Sequence, residues 1–173
     1  GKMVYSTNDT KIGTSVPHAI GAINNEGLMY ISDVVKTENS VNQFHIEIFA
    51  PIKDENDRNI GTIQAIYIVD QLFNTVKGVK IGTTGHANLV DSSGTILICP
   101  VFQARSHRIT NDLLRVLLDH SAGWSIVDDD AHGSRGSIIG YAPINLRKEG
   151  LHSASFGKRD WYIFTLQSPI ETF

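Results

Sequence analysis

Cysteine, methionine and tryptophan are scarce in this 173-residue chain: one Cys, two Met and two Trp, alongside five prolines. With Cys99 alone, no disulfide and no Cys-x-x-Cys metal site is possible within the chain. That suits the cytosol, and equally a bacterial extracytoplasmic domain that does not depend on disulfides. No apolar run approaches the roughly 18 residues a membrane helix needs. No signal peptide precedes Gly1, although a chain that starts in mid-unit, as this one does, reads as an excised fragment. Positive charge is not in excess either. A net charge of −3 and a pI near 6.1 argue against a nucleic-acid surface, which needs a basic stripe. The short basic clusters Arg105, His107, Arg108 and Lys158, Arg159 read as solvated surface. Hydrophobic content of 41% and charged content of 19% are ordinary for a soluble globular protein.

What is present is an internal repeat. Phe49-Ala50-Pro51-Ile52 returns as Tyr141-Ala142-Pro143-Ile144, and Gly1-Lys2-Met3-Val4-Tyr5-Ser6 corresponds to Gly94-Thr95-Ile96-Leu97-Ile98-Cys99. A repeat of this kind implies two copies of one unit. The second copy has a strand-like His86 to Val90 and a turn before Gly94, whereas the first begins at Gly1. The expected organisation is a partial module over 1–77 and a complete one over 78–173.

Local patterns predict the elements. Met3 to Ser6 reads as a short strand, Ser15 to Ile23 as a weak helix, and Leu28 to Val35 as a strand. Gln43 to Pro51 alternates with period two, Phe44, Ile46, Ile48 and Ala50 facing one side and His45, Glu47 and Phe49 the other. Asp54-Glu55-Asn56-Asp57 is a turn, and Ile60 to Val69 returns as the second arm of a hairpin. Asp70 to Lys77 is a short helix. His86 to Val90 and Thr95 to Cys99 form a hairpin about Asp91-Ser92-Ser93-Gly94. Asn111 to His120 carries a leucine stripe of Leu113, Leu114, Leu117 and Leu118, capped by Thr110 or Asn111. Trp124 to Asp128, Ser137 to Ile144 and Trp161 to Gln167 supply three more strands. The second unit is therefore β-β-α-β-β-β, and the class is α+β.

Catalytic signatures are missing. Gly82 and Gly85 are followed by no Lys-Ser/Thr pair, so they make no phosphate loop. There is no Gly-x-Ser-x-Gly elbow, and the seven histidines have no metal-hydrolase spacing. Asp128-Asp129-Asp130-Ala131-His132-Gly133 clusters oxygen donors but lacks the alternation and distal Glu of a calcium loop, so it reads as an exposed acidic turn. The expectation is no enzyme, no metal and no cofactor. Candidate ligand contacts come from strand faces. His45 and Glu47, spaced i, i+2, point to one face and with Tyr30, Ser32 and Tyr67 would line a small pocket. The competing reading makes that face the solvent side of the sheet. In the second unit His86 and Asn88 share a face, with Trp124 and Tyr141 as apolar walls. Both tryptophans are more often core residues, and Tyr141 holds the repeat position of Phe49, which favours a structural role for both.

The segments Phe49-Ala50-Pro51-Ile52-Lys53-Asp54, Ile60-Gly61-Thr62-Ile63 and Ile81-Gly82-Thr83-Thr84-Gly85-His86-Ala87-Asn88-Leu89-Val90-Asp91-Ser92-Ser93-Gly94 resemble the junction of a double Cache domain. Gly140-Tyr141-Ala142-Pro143-Ile144, Trp161 and Gln167-Ser168-Pro169 continue its second module. The resemblance implies tandem PAS-like modules, each an antiparallel sheet with flanking helices, the first truncated at its N-terminus. It implies an extracytoplasmic sensor of a chemoreceptor, histidine kinase or cyclic-dinucleotide enzyme that binds a small molecule and signals to a membrane helix after Phe173. A homodimer is implied by the family alone. The chain departs from the amino-acid-binding subgroup. No Arg-x-Trp-Tyr cluster precedes Leu28, and Ile66 stands where that subgroup's carboxylate is expected, so a typical amino-acid ligand is not expected. The alternative is a ligand-free PAS-type dimerisation or signalling module. An extracellular domain of a channel subunit has only the sequon Asn8-Asp9-Thr10 in its favour.

Overall fold

The computed structural model describes residues 2–15, 29–38, 40, 43–119, 121–129, 131–133, 136–144 and 160–171. They fall into two compact units, one holding those of Gly1–Val35 and His45–Tyr67, the other those of Lys36–Phe44, Ile68–Asn145 and Arg159–Phe173. Most of the helix expected from Ser15 to Ile23, and Leu28 after it, lies outside the described residues.

The first sheet contains β1 (Tyr30–Ile31), β2 (Val35–Lys36), β3 (Phe44–Lys53) and β4 (Asn59–Ile68), with β1, β2 and β4 all paired to β3. β1 runs antiparallel to β3, Tyr30 opposite Phe49. The β3–β4 turn forms as expected because Asp54 organises it. Its carboxylate accepts from the backbone N–H groups of Asn56 and Arg58 (both 2.9 Å) and from Arg58 Nε at 2.7 Å. The Arg58 side chain is the main reason the Asp54 carboxyl sits below its ordinary pKa.

Two expected strands differ. Leu28 to Val35 is interrupted after Ile31, because its polar side chains turn onto the backbone. Ser32 Oγ donates to the Asp33 carbonyl (2.7 Å) and accepts from Glu47 N–H (2.8 Å), and Asp33 Oδ1 accepts from Val34 N–H (2.8 Å). Such local bonds compete with a regular ladder. Met3–Ser6 is no strand either: only a Lys2–Ser15 bridge forms, and Val4 is 88% exposed. Its repeat counterpart Ile96–Ile98 is fully buried because it pairs with a neighbour, whereas among the described residues Met3–Ser6 has no strand beside it.

The second unit opens with α1 (Asp70–Lys77), which packs on β6 and β7. Its sheet holds β5 (Lys80–Ile81), β6 (Gly85–Asp91), β7 (Ile96–Ile98), β8 (Gly123–Val127), β9 (Ser137–Ile144) and β10 (Trp161–Gln167). The order is β5-β6-β10-β9-β8, with β7 also on β6, and these pairings are all antiparallel. Between β7 and β8 lies α2 (Asn111–Leu118), whose N-terminus is capped by Thr110 Oγ1 accepting from Leu113 N–H at 3.4 Å. The leucine stripe then does what its spacing implies: Leu113 and Leu117 join Val90, Ile139, Tyr162, Phe164 and Leu166 in one buried cluster.

Gly85 is required by close packing. A Cβ there would lie 2.3 Å from the Ile81 carbonyl oxygen and 2.9 Å from that of Leu166. Just beyond the same end of β10, the Pro169–Glu171 turn is latched to the β5–β6 loop. Glu171 Oε2 accepts from Thr83 N–H (3.1 Å) and Gln167 Nε2 (3.3 Å), and Glu171 Oε1 accepts from Thr83 Oγ1. The Thr83 hydroxyl is the largest of several hydrogen bonds that lower the Glu171 pKa from 4.5 to about 2. A depressed carboxylate pKa contributes stability above the unfolded value and loses it as pH falls. The latch should therefore be intact at neutral pH and be lost between about 4.5 and 2. In melts recorded across that window, wild type should lose more Tm than Glu171→Gln. Parallel curves would mean that the latch contributes nothing.

Candidate functional site

In the first unit, register gathers polar side chains on one face of β3. His45 and Glu47 share that face with Phe49, by period two, and Tyr30 joins them as the cross-strand partner of Phe49, rings 6.0 Å apart. Gln64 of β4 donates from Nε2 to Glu47 Oε1 at 3.1 Å. Phe49 is wholly buried and His45 and Glu47 are half-buried, so this is not an open solvent face. Burial, and then the negative charges of Asp33 and Glu47, push the Tyr30 hydroxyl pKa up. Ser32 lies here too, but its hydroxyl is engaged by the backbone as described. Tyr67 does not join them. Three residues on from Gln64 it points to the other side of β4, and it is 39% exposed. The face offers a phenol, a carboxylate, a carboxamide and an imidazole, a set that hydrogen-bonds a small polar molecule from several sides.

In the second unit His86 and Asn88 do share a face. His86 lies opposite Leu166, and Asn88 opposite Phe164, which on its other side faces Tyr141. This is the face that carries the cluster beneath α2. Tyr141 lines it, partly buried. Trp124 does not: it pairs with Gly140 rather than Tyr141, so it projects from the opposite face and is 73% exposed. Its sequence neighbours show only alternation, and alternation leaves open which side is covered. Trp161 is core, at 2% exposure. Asn88 is completely buried, yet among the described residues neither its Oδ1 nor its Nδ2 has a hydrogen-bond partner. An unsatisfied buried amide is costly, and such groups call for an explanation beyond packing.

Residues far apart in sequence close in on His86. The His132 ring lies tilted beside it (ring centroids 5.0 Å apart) and Cys99 Sγ lies 3.2 Å from His132 Nε2. The ligand atoms of His86, Cys99 and His132 all lie within 4.8 Å of one another. Phe102 covers His132 at 5.4 Å, and His107 meets the edge of Phe102 at 4.8 Å. Burial lowers the His107 pKa. The acidic turn is exposed at Asp128 and Asp129, as expected, and Asp129 Oδ1 accepts from Ala131 N–H at 2.8 Å. Sequence spacing carries no signal for this cluster, because its members come from β6, the end of β7 and the β8–β9 loop. On the same unit, Phe44, Phe73, Lys77, Asp70, Cys99 and Phe102 border a groove of about 270 Å³.

No family model and no curated protein sequence matches this chain. Solved structures do. The ligand-binding domain of the Pseudomonas aeruginosa PAO1 amino acid chemoreceptor PctC, in complex with GABA, superposes with a TM-score of 0.63 at 13% identity, over 95% of this chain and 66% of that one. The chain has the fold of chemoreceptor sensory domains. The periplasmic sensory domain of the Campylobacter jejuni chemoreceptor Tlp1 gives 0.66 at 11% identity, over 94% and 60%. An extracellular domain assigned to a histidine kinase, mmHK1S-Z3, gives 0.56 at 17% identity, over 84% and 51%. The chain thus spans between about half and two thirds of these structures. Their fold agrees with the resemblance read from the segments between Phe49 and Pro169.

Proposed function

We propose that this chain is the ligand-binding part of an extracytoplasmic sensor, in a chemoreceptor or a sensor kinase, and that it binds a small polar molecule rather than catalysing a reaction. The observation that carries this reading is the likeness of nearly the whole chain to the sensory domains of PctC and Tlp1. The modules would be two tandem PAS-like units of the Cache type, over 1–77 and 78–173, with α1 ending the first in sequence while packing on β6 and β7 of the second. In favour is the order β7-β6-β10-β9-β8 of the second unit, with α2 between its second and third strands. No described helix is long and apolar enough to cross a membrane, so anchoring would fall to helices outside this chain.

The ligand would sit on the face of Tyr30, Ser32, His45 and Glu47, with Gln64 as a further contact. His86, Asn88 and Tyr141 are the corresponding candidates in the second unit. A ligand transmits a signal only by binding two conformations unequally. Here β10, which ends at the Glu171 latch, is the strand whose displacement would be passed on. PctC was solved with GABA. GABA, other amino acids, amines and small carboxylic acids therefore form the panel to titrate against thermal unfolding. A true ligand should raise Tm by several degrees when well above its Kd, and Glu47→Gln or Tyr30→Phe should remove the shift while the free protein melts as before. If the shift survives both substitutions, the ligand binds elsewhere.

A second reading rests on β4. Ile60, Ile63, Ile66 and Tyr67 are exposed, and among the described residues β4 pairs only with β3. Exposed apolar strands of this kind pair with other chains. A stable dimer in solution, with no response to any of the panel, would favour the ligand-free dimerisation module.

A further inference from the structure

We propose that His86, Cys99 and His132 form a zinc site in the second unit, one ion per chain, with the His107 ring 6.0 Å from that of His132. This goes beyond the sensor reading and does not depend on it. Three observations converge on it.

The first is geometry. Zinc takes imidazole nitrogen at about 2.0–2.1 Å and thiolate sulfur at about 2.3 Å in a tetrahedron, so its ligand atoms stand roughly 3.3–3.6 Å apart. Cys99 Sγ and His132 Nε2 are already 3.2 Å apart, and the full set lies within 4.8 Å. The second is orientation. His86 Nδ1 faces the Thr84 carbonyl oxygen at 3.3 Å, which places its proton there and leaves the lone pair on Nε2. That Nε2 is buried and has no hydrogen-bond partner among the described residues. A ligating histidine characteristically donates its other N–H to a backbone carbonyl or a carboxylate, which fixes both tautomer and ring angle. Cys99 Sγ in turn accepts from the backbone N–H groups of Val101 and Phe102, both at 3.3 Å, donors suited to a sulfur carrying negative charge. The third is donor chemistry. Two imidazoles and a thiolate match a borderline-soft ion, whereas calcium and magnesium demand oxygen, and the nearby Asp128 and Asp129 stand exposed in their turn.

The alternative use of a Cys–His pair is as a nucleophile and base. Cys99 is only 2% exposed, which suits an enclosed ion better than a thiol that must meet a substrate. Phe102, stacked on His132, adds an apolar lid. The turn places His132 for this role: Ala131 and Gly133 both take positive φ (68° and 88°), which swings the loop over beside exposed carboxylates. Zinc would then tie the β8–β9 loop to β6 and to the end of β7.

Purified protein stripped with a chelator and titrated with Zn²⁺ against a chromogenic competitor should bind one equivalent. Tm should rise by roughly 5–10 °C when free zinc is a hundredfold above Kd. Co²⁺ in place of zinc should give a thiolate-to-cobalt charge-transfer band together with the d–d bands of a tetrahedral site. Cys99→Ser and His132→Gln should each weaken zinc binding by about 100-fold or more, and Cys99→Ser should abolish the charge-transfer band. The zinc-free circular dichroism spectrum identifies variants that are still folded, and His132→Gln, at a partly exposed position, supplies a variant if Cys99→Ser does not fold. No zinc uptake at micromolar concentration overturns the proposal. So does zinc binding that is unchanged in a folded variant, a cobalt spectrum without thiolate character, or uptake of Cu⁺ but not Zn²⁺.

Discussion

Replacing Phe164 by alanine is expected to destabilise the second unit by about 3–5 kcal/mol, the range for deleting a large buried aromatic side chain. Phe164 sits in the middle of β10, the strand that pairs with both β6 and β9. It is wholly buried in the cluster that Leu113 and Leu117 of α2 complete. Deletion opens a cavity walled by a sheet and a helix that are both fixed by hydrogen bonds, so little collapse can offset the loss. At this size, Tm should fall by roughly 6–20 °C. Trp161, buried on the same strand, reports the transition by fluorescence, while Trp124 already stands in solvent. Ile170→Ala, at an exposed position, should change stability by less than about 0.5 kcal/mol and serves as the control. A Phe164→Ala loss below about 1 kcal/mol would mean that β10 is not the centre of this core.

Asn88→Leu should have the opposite sign. Leucine has the same number and branching of side-chain heavy atoms. It removes a buried amide whose two polar atoms both lack partners among the described residues. Leaving such a group unsatisfied costs about 1–3 kcal/mol, and the substitution should recover a gain of that order. A binding role for Asn88 would explain why the cost is tolerated, since functional sites commonly carry such local conflicts. The two effects separate experimentally: the free variant melts higher, and any ligand that uses the amide loses its stabilisation. A lower Tm for the free variant, measured beside wild type in the same buffer, would show that the amide is satisfied in the native state.

Much of the fold was legible because it is written in short-range patterns. The helix over Asp70–Lys77, the β3–β4 hairpin with its Asp54 turn, the leucine stripe of α2 and the three strands β8, β9 and β10 all appear close to where periodicity and turn chemistry put them. The errors have a common form. Leu28 to Val35 has the composition of one strand, but Ser32 and Asp33 bond the backbone and split it. Met3–Ser6 has strand composition, but among the described residues its backbone meets only Gly13 and Thr14, through Met3, and no strand lies beside it. Tyr67 and Trp124 lie on the faces away from the candidate contacts, since alternation specifies two faces and not which one a third element covers.

The candidate site divides along the same line. His45 with Glu47, and His86 with Asn88, were readable as pairs because period two is a property of a single strand. Tyr30 and Gln64 reach the first pair only through cross-strand register, and Cys99 and His132 reach His86 only after three separate segments are folded together. By itself the sequence determined the local elements, the repeat and the likeness to a sensory fold, because these depend on neighbours within a few residues or on recurring words. The tertiary structure alone decided which faces are covered, that Asn88 is buried with no hydrogen-bond partner among the described residues, and that a lone cysteine meets two histidines. Each of these depends on distances between residues whose separation along the chain carries no record of their separation in space.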